Sequence, residues 1–140
     1  MLEQPRSREH KVQLTARVIK AGMAEGVALV SPQPIGFLGG VDPETGMVVE
    51  PGHPLQGQNV AGRVLVFPTG KGSTVGSYVL YRMARAGTAP AAIVNGESEA
   101  IVAVGAIIAG IPMVDQVDIT KIENGDWVRL EHDRLTVERR

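Results

Sequence analysis

The residues best suited to chemistry form one glycine-rich run, Phe67-Pro68-Thr69-Gly70-Lys71-Gly72-Ser73-Thr74-Val75-Gly76-Ser77. It follows a continuous apolar stretch, Arg63-Val64-Leu65-Val66-Phe67, of the kind buried on both faces in a parallel sheet. After it, Val75, Val79, Leu80 and Met83 recur with helical spacing, and Gly87 stops the pattern. A strand leading through such a loop into a helix is where α/β sheets bind ligands. The carboxyl ends of the strands face a crevice, and the first helical turn offers unpaired N–H groups at a positive dipole end. Gly70 and Gly72 allow close backbone approach, and Lys71 adds a cation. The hydroxyls of Ser73 and Thr74 lie in a field that stabilises an alkoxide more than water does.

Spacing alone leaves more than one reading of this loop. A Walker A motif requires G-x-x-x-x-G-K-[ST], but Lys71 is followed by Gly72, and Leu65 stands five residues before Gly70, so that pattern fails. A dinucleotide fingerprint requires G-x-G-x-x-G, whereas Gly70, Gly72 and Gly76 are spaced one residue too widely, with the acidic Glu97 at about the right distance. Alternatively, the glycines make a tight turn and Ser73 only caps the helix, a contribution of about 1 kcal/mol. A phosphate- or dinucleotide-binding module without chemistry therefore stays open beside a catalytic loop.

The elements that must hold the loop can be read on either side of it. Residues 1–10 are polar without an apolar period and are expected to be a flexible terminus, with one domain over 11–140. Val12, Leu14, Ala16 and Val18 alternate with polar residues, the period of a strand with one wet face. Val27 to Val30 and Met47 to Val49 read as further strands, with the Asp42-Pro43 turn start between them. After the loop helix, Ala91 to Val94 is a second buried strand. Ser98 to Ala109 is a helix with Glu97 and Glu99 at its positive end and Gly110 as its stop. That helix is almost wholly apolar and is expected to be buried. Ile111 to Val114 is a short strand, Trp127–Leu130 and Leu135–Val137 form a terminal pair, and Arg139 and Arg140 are a solvated tail. The sum is an α/β fold in which a β-rich first half is followed by β-α-β-α-β with a partly parallel sheet.

Composition narrows the function classes. The 140 residues suit one domain, and 44% hydrophobic with 21% charged residues is a globular composition. Fourteen Lys and Arg against fifteen Asp and Glu give a net charge of -1, which offers no general field for nucleic acid or an anionic membrane. No apolar run reaches the ~20 residues of a spanning helix, and the start lacks the apolar core of a signal peptide, so a cytoplasmic location is expected. There is no cysteine, hence no thiolate nucleophile and no cysteinyl metal or iron–sulfur ligation by this chain. His10, His53 and His132 occur in no metal-binding spacing, so packing or surface roles suffice and no metal site is expected.

Several separated blocks carry a resemblance. Gly70 to Tyr78, with Phe37-Leu38-Gly39-Gly40-Val41-Asp42 before it and Glu97 to Val102 and Gly110 to Asp115 after it, is similar to the small chain of aconitase X enzymes across roughly residues 11 to 130. The resemblance implies a single aconitase-swivel-like domain and a heterodimer with a large catalytic subunit that holds an iron–sulfur cluster. It implies a hydro-lyase inactive without that partner. The Lys-Gly-Ser-Thr loop is closest to members that dehydrate (R)-5-phosphomevalonate to trans-anhydromevalonate 5-phosphate in a modified mevalonate route to isoprenoids. Other members dehydrate cis-3-hydroxy-L-proline. A phosphorylated hydroxy acid would welcome Lys71.

The resemblance also places the catalytic base on Ser73. A serine is far too weak a base at neutral pH unless a helix N-terminus, N–H groups and Lys71 favour its ionised form. Gly72 and Thr74 would bind the substrate carboxylate through backbone and hydroxyl donors. Aconitase has an arginine soon after its serine, but Val75 and Gly76 stand here, so the carboxylate clamp is expected from the large chain. Asn95 is a candidate for holding loop backbone or touching substrate, and Glu97 for positioning around Ser73. Acidic residues in a first helical turn are otherwise dipole complements, and Asp42 is a turn opener for which the resemblance adds an interface role.

Overall fold

A computed structural model of the chain describes residues 11–72 and 75–140. The flexible segment expected at 1–10 and the candidates Ser73 and Thr74 lie outside the described residues. The elements are β1 (Lys11–Thr15), β2 (Arg17–Lys20), β3 (Met23–Val30), β4 (Val64–Phe67), α1 (Gly76–Ala86), β5 (Ala92–Asn95), α2 (Ala100–Ala109), β6 (Met113–Asp115), a 3-10 turn (Ile119–Lys121), β7 (Trp127–Glu131) and β8 (Arg134–Glu138).

The strands form one eight-stranded sheet in the order β1-β8-β7-β3-β4-β5-β6-β2. β3, β4, β5 and β6 are parallel neighbours, and the remaining pairings are antiparallel. β1 and β2 stand at opposite ends of this order, yet Ala16 alone joins them. Consecutive Cα atoms are about 3.8 Å apart, so the two ends of the sheet must meet. The sheet is therefore wrapped on itself, with its seam at Ala16. The single strand expected across Val12 to Val18 is for this reason two strands with different partners, β8 and β6.

Alternation along the strands sorts side chains into two cores. Val64, Val66, Ala92, Val94 and Val114 point inside the wrap, against Val128, Leu130, Leu135 and Val137. Leu65, Phe67, Ile93 and Met113 point the other way and pack under Leu80, Met83, Val102 and Ala106 of the helices. The result is two sheet layers and one helical layer. Both helices end in a left-handed glycine, Gly87 (φ 78°) and Gly110 (φ 74°). They cross at Gly105, where a Cβ would come within 2.8 Å of Leu80 Cδ1 and 3.0 Å of Ser77 Cα.

Further expectations change in the structure. Met47 to Val49 is not a strand: Val48 N–H reaches Gln58 O, whereas Val49 N–H reaches Gly40 O, so neighbouring residues bond to different segments. α1 has Val75 at its N-cap without a side-chain cap, and α2 starts at Ala100 with Glu99 as its cap. α2 is not buried all round, since Val104, Ile107 and Ile108 are 47%, 49% and 57% exposed. The sheet covers only one side of it. Arg139 and Arg140 are not a free tail: Arg139 Nε donates to Asp126 Oδ1 at 2.8 Å, and the Arg140 guanidinium lies 4.5 Å from the Trp127 ring centroid. Among the described residues no helix is long and apolar enough to cross a membrane.

Candidate functional site

The glycine loop is stitched to the body of the domain from both sides. On one side, Ile35 N–H donates to Thr69 O and Lys71 N–H to Ile35 O, extending the parallel order past Phe67. On the other, Glu97 N–H donates to Pro68 O at 2.9 Å, and Asn95 Nδ2 donates to Phe67 O at 3.0 Å. Asn95 is fully buried, and its Oδ1 accepts no hydrogen bond from the described residues. Gly70 and Gly72 are needed for space. A Cβ on Gly70 would meet Val102 Cγ2, and one on Gly72 would meet the Glu99 carboxylate. That carboxylate is fixed because it accepts Ile101 N–H at 3.0 Å and Val102 N–H at 3.1 Å as the cap of α2.

Lys71 and Gly72 line an open cleft of about 370 Å³ with Glu50 and the loop from Gly36 to Gly40. Lys71 Nζ donates to Glu50 Oε2 at 2.9 Å, with the lysine side chain 52% exposed and the glutamate 31%. The cleft thus offers an ammonium group already held by one carboxylate. An entering anion would share Lys71 with Glu50.

A second polar cluster lies across Glu99 from this cleft. Asp115, ending β6, is fully buried and accepts both Arg17 Nε at 2.9 Å and Arg17 Nη2 at 2.8 Å. It also accepts Ser98 N–H at 3.0 Å and Ser98 Oγ–H at 2.7 Å. The Arg17 hydrogen bond is the main reason that the Asp115 carboxyl is lowered from 3.8 to about 2, with Ser98 adding to it against the opposing effect of burial. The same pairing raises Arg17 further.

The structure therefore brings Lys71 and Gly72 together at the cleft and places Asn95 directly beneath the loop, in the backbone-holding role. Glu97 is exposed and joins the loop through its N–H, while its carboxylate is not among the cleft-lining groups. Glu99 is a helix cap that supports Gly72. Asp42 accepts Glu44 N–H at 2.9 Å, the turn-opening role. His53 bonds Pro34 O through Nε2 and accepts Leu55 N–H at Nδ1, a packing role. Glu50, Arg17, Ser98 and Asp115 were not singled out by the sequence, although Asp115 closes one of the resembling blocks and ends a parallel strand. Among the described residues no three His, Asp or Glu side chains are grouped to hold a metal ion, and the chain has no cysteine. Its residues do not fit an iron–sulfur cluster.

In comparison with known protein families, the aconitase X swivel domain matches residues 13–139. The chain belongs to this family. A relative from Thermococcus onnurineus, the phosphomevalonate dehydratase small subunit, is 54% identical over 91% of this chain and 98% of its own length. The protein of the same description from Methanocella arvoryzae is 55% identical over 86% of this chain and 93% of its own. The crystal structure of Thermococcus kodakaraensis aconitase X in its holo-form superposes with a TM-score of 0.88 at 51% identity, covering 90% of this chain and 98% of that one. The swivel-domain assignment agrees with the single aconitase-swivel-like α/β domain and the partly parallel sheet expected from the sequence.

Proposed function

We propose that this swivel domain is the small subunit of a heteromeric hydro-lyase that dehydrates (R)-5-phosphomevalonate to trans-anhydromevalonate 5-phosphate, in a modified mevalonate route to isoprenoids in the cytoplasm. The observation that carries this reading is the 54% identity, across nearly the whole of both chains, with phosphomevalonate dehydratase small subunits. Lys71 supports it, because an exposed ammonium beside a backbone-lined cleft suits a phosphate group. The partner is a large subunit that holds the iron–sulfur cluster, for which this chain has no thiolates.

Loss of water requires a base for the carbon-bound proton and donors that hold the substrate in register. In our reading Ser73, which precedes α1 in the sequence, takes the proton as an alkoxide favoured by a helix N-terminus. Gly72 N–H and the Thr74 hydroxyl orient the substrate, Lys71 meets the phosphate, and Glu97 and Asn95 hold the loop. The test is to pull down the tagged chain anaerobically from its native cells and assay the eluate for phosphomevalonate dehydration. Co-purification of a larger brown protein with that activity is the expected result. Activity on cis-3-hydroxy-L-proline alone would change the substrate, and a colourless chain without partner would favour a binding module. In the reconstituted complex, Ser73→Ala should lower kcat by about 10²- to 10⁴-fold with the complex intact.

A further inference from the structure

We propose that Arg17 binds the carboxylate of the substrate, and that Asp115 with Ser98 is the rigid mount that aims it. The inference deepens the dehydratase reading and rests on it.

Arg17, Asp115 and Ser98 sit at the end of the domain where ligands enter parallel sheets. Phe67, Asn95 and Asp115 are the last residues of three adjacent parallel strands, β4, β5 and β6. Arg17 pairs with Asp115 across the β2–β6 register. Asp115 binds both the N–H and the hydroxyl of Ser98, and the carboxylate of the next residue, Glu99, is the wall against which Gly72 rests. One continuous set of contacts therefore leads from Arg17 to the glycine loop.

The pair is built unequally. The Asp115 side chain is 0% exposed, whereas that of Arg17 is 61% exposed. A buried carboxylate is costly and stabilises a fold poorly by itself, and an exposed guanidinium gains little from a surface pair. As a mount the arrangement makes sense: two of the guanidinium nitrogens are held by a buried carboxylate, and the rest of the group stays open to solvent with Glu97 near enough to act on its charge. Guanidinium recognises carboxylate as a planar, fork-shaped partner, which a lysine cannot imitate. A substrate with a carboxylate and a phosphate has two anionic ends, and this face of the domain offers two cations of different geometry, Arg17 and Lys71. A guanidinium fork fits either anion, and with Lys71 at the glycine-loop cleft taking the phosphate, Arg17 is left for the carboxylate.

The experiment uses the reconstituted two-subunit enzyme with Arg17→Lys, which keeps the charge and loses the fork, and Arg17→Ala, with assembly checked by gel filtration. KM for 5-phosphomevalonate should rise about 10- to 100-fold in both variants, with kcat changed by no more than a few-fold. Two inhibitors separate the anionic ends. Mevalonate, which has only the carboxylate, should lose affinity by the same factor, and isopentenyl phosphate, which has only the phosphate, should not. An unchanged KM in the Arg17→Lys enzyme overturns the proposal. So does a loss confined to isopentenyl phosphate, which would make Arg17 a phosphate ligand, and so does failure of both variants to assemble, which would make it an interface residue. Ser98→Ala loosens the mount without removing the fork, so a KM rise in Ser98→Ala equal to that in Arg17→Ala also counts against direct contact. If the wild-type complex dehydrates a different hydroxy acid, the substrate reading fails separately, and the same KM comparison on that acid decides the role of Arg17.

Discussion

Replacing Asp115 with asparagine removes the charge from a fully buried group while keeping its shape, and the structure sets the size of the effect. The ionised carboxylate accepts from Arg17 twice and from both donors of Ser98. An amide presents an N–H₂ to donors on one side, so at least one of these contacts becomes a donor facing a donor. Holding the carboxyl at about 2 instead of 3.8 corresponds, at about 1.4 kcal/mol per pH unit, to roughly 2 kcal/mol of stability at neutral pH once screening of the exposed Arg17 is allowed for. Because the folded value is depressed, this stability is fully present above about pH 5 and is lost as pH falls towards 2. About half of it is gone by pH 3. Urea unfolding of Asp115→Asn should therefore show a deficit of about 2 kcal/mol at pH 7 that narrows by about 1 kcal/mol at pH 3. A deficit independent of pH across that range would refute the assignment of the stability to the ionised carboxylate.

Other substitutions test separate parts of the structure. Glu99→Ala leaves the N–H groups of Ile101 and Val102 without their acceptor and should cost about 1 kcal/mol in denaturant unfolding. Gly105→Val drives a branched side chain into Leu80 and the Ser77 backbone where the helices cross, so thermal melting should fall by roughly 8 °C, for about 2 kcal/mol of overpacking. In the reconstituted enzyme Glu50→Gln frees Lys71 from an exposed pair worth about 0.2–1 kcal/mol, and KM for the phosphorylated substrate should drop by up to about fivefold in steady-state kinetics. A rise in KM would instead mean that Glu50 orients the ammonium.

The parts of the fold that could be read from the sequence are those fixed by short-range pattern. Arg63 to Phe67 and Ala91 to Val94 are apolar without interruption because their strands are covered on both faces, and Gly87 and Gly110 mark helix ends because only glycine enters the left-handed region without strain. The terminal pair of strands was legible for the same reason. What was missed depends on distant partners. The sequence pattern starts α2 at Ser98, but that hydroxyl is taken by Asp115, seventeen residues on, and Glu99 caps a helix that starts at Ala100. An apolar helix reads as buried from every side, because nothing in its own sequence says that only one sheet face will cover it. Arg17 and Asp115 are separated by 98 residues, and only the wrapped sheet puts them opposite one another. Within the candidate site, Lys71 and Gly72 stood out by local composition, whereas Glu50 reaches Lys71 only through the fold of the loop between β3 and β4.

The seam at Ala16 has a consequence for how the chain is made. Among the described residues, 11–15 pair with 134–138 and 17–20 with 113–115, so two strands made early must wait for others made late. Until then β6 and β8 have no neighbour on their outer sides, and β1 and β2 are bare ribbon that could pair with a strand of another molecule. Docking of β1 on β8 and of β2 on β6 is therefore the step at which these strand edges are covered. Chains stalled before residue 134 should be the ones that chaperones retain.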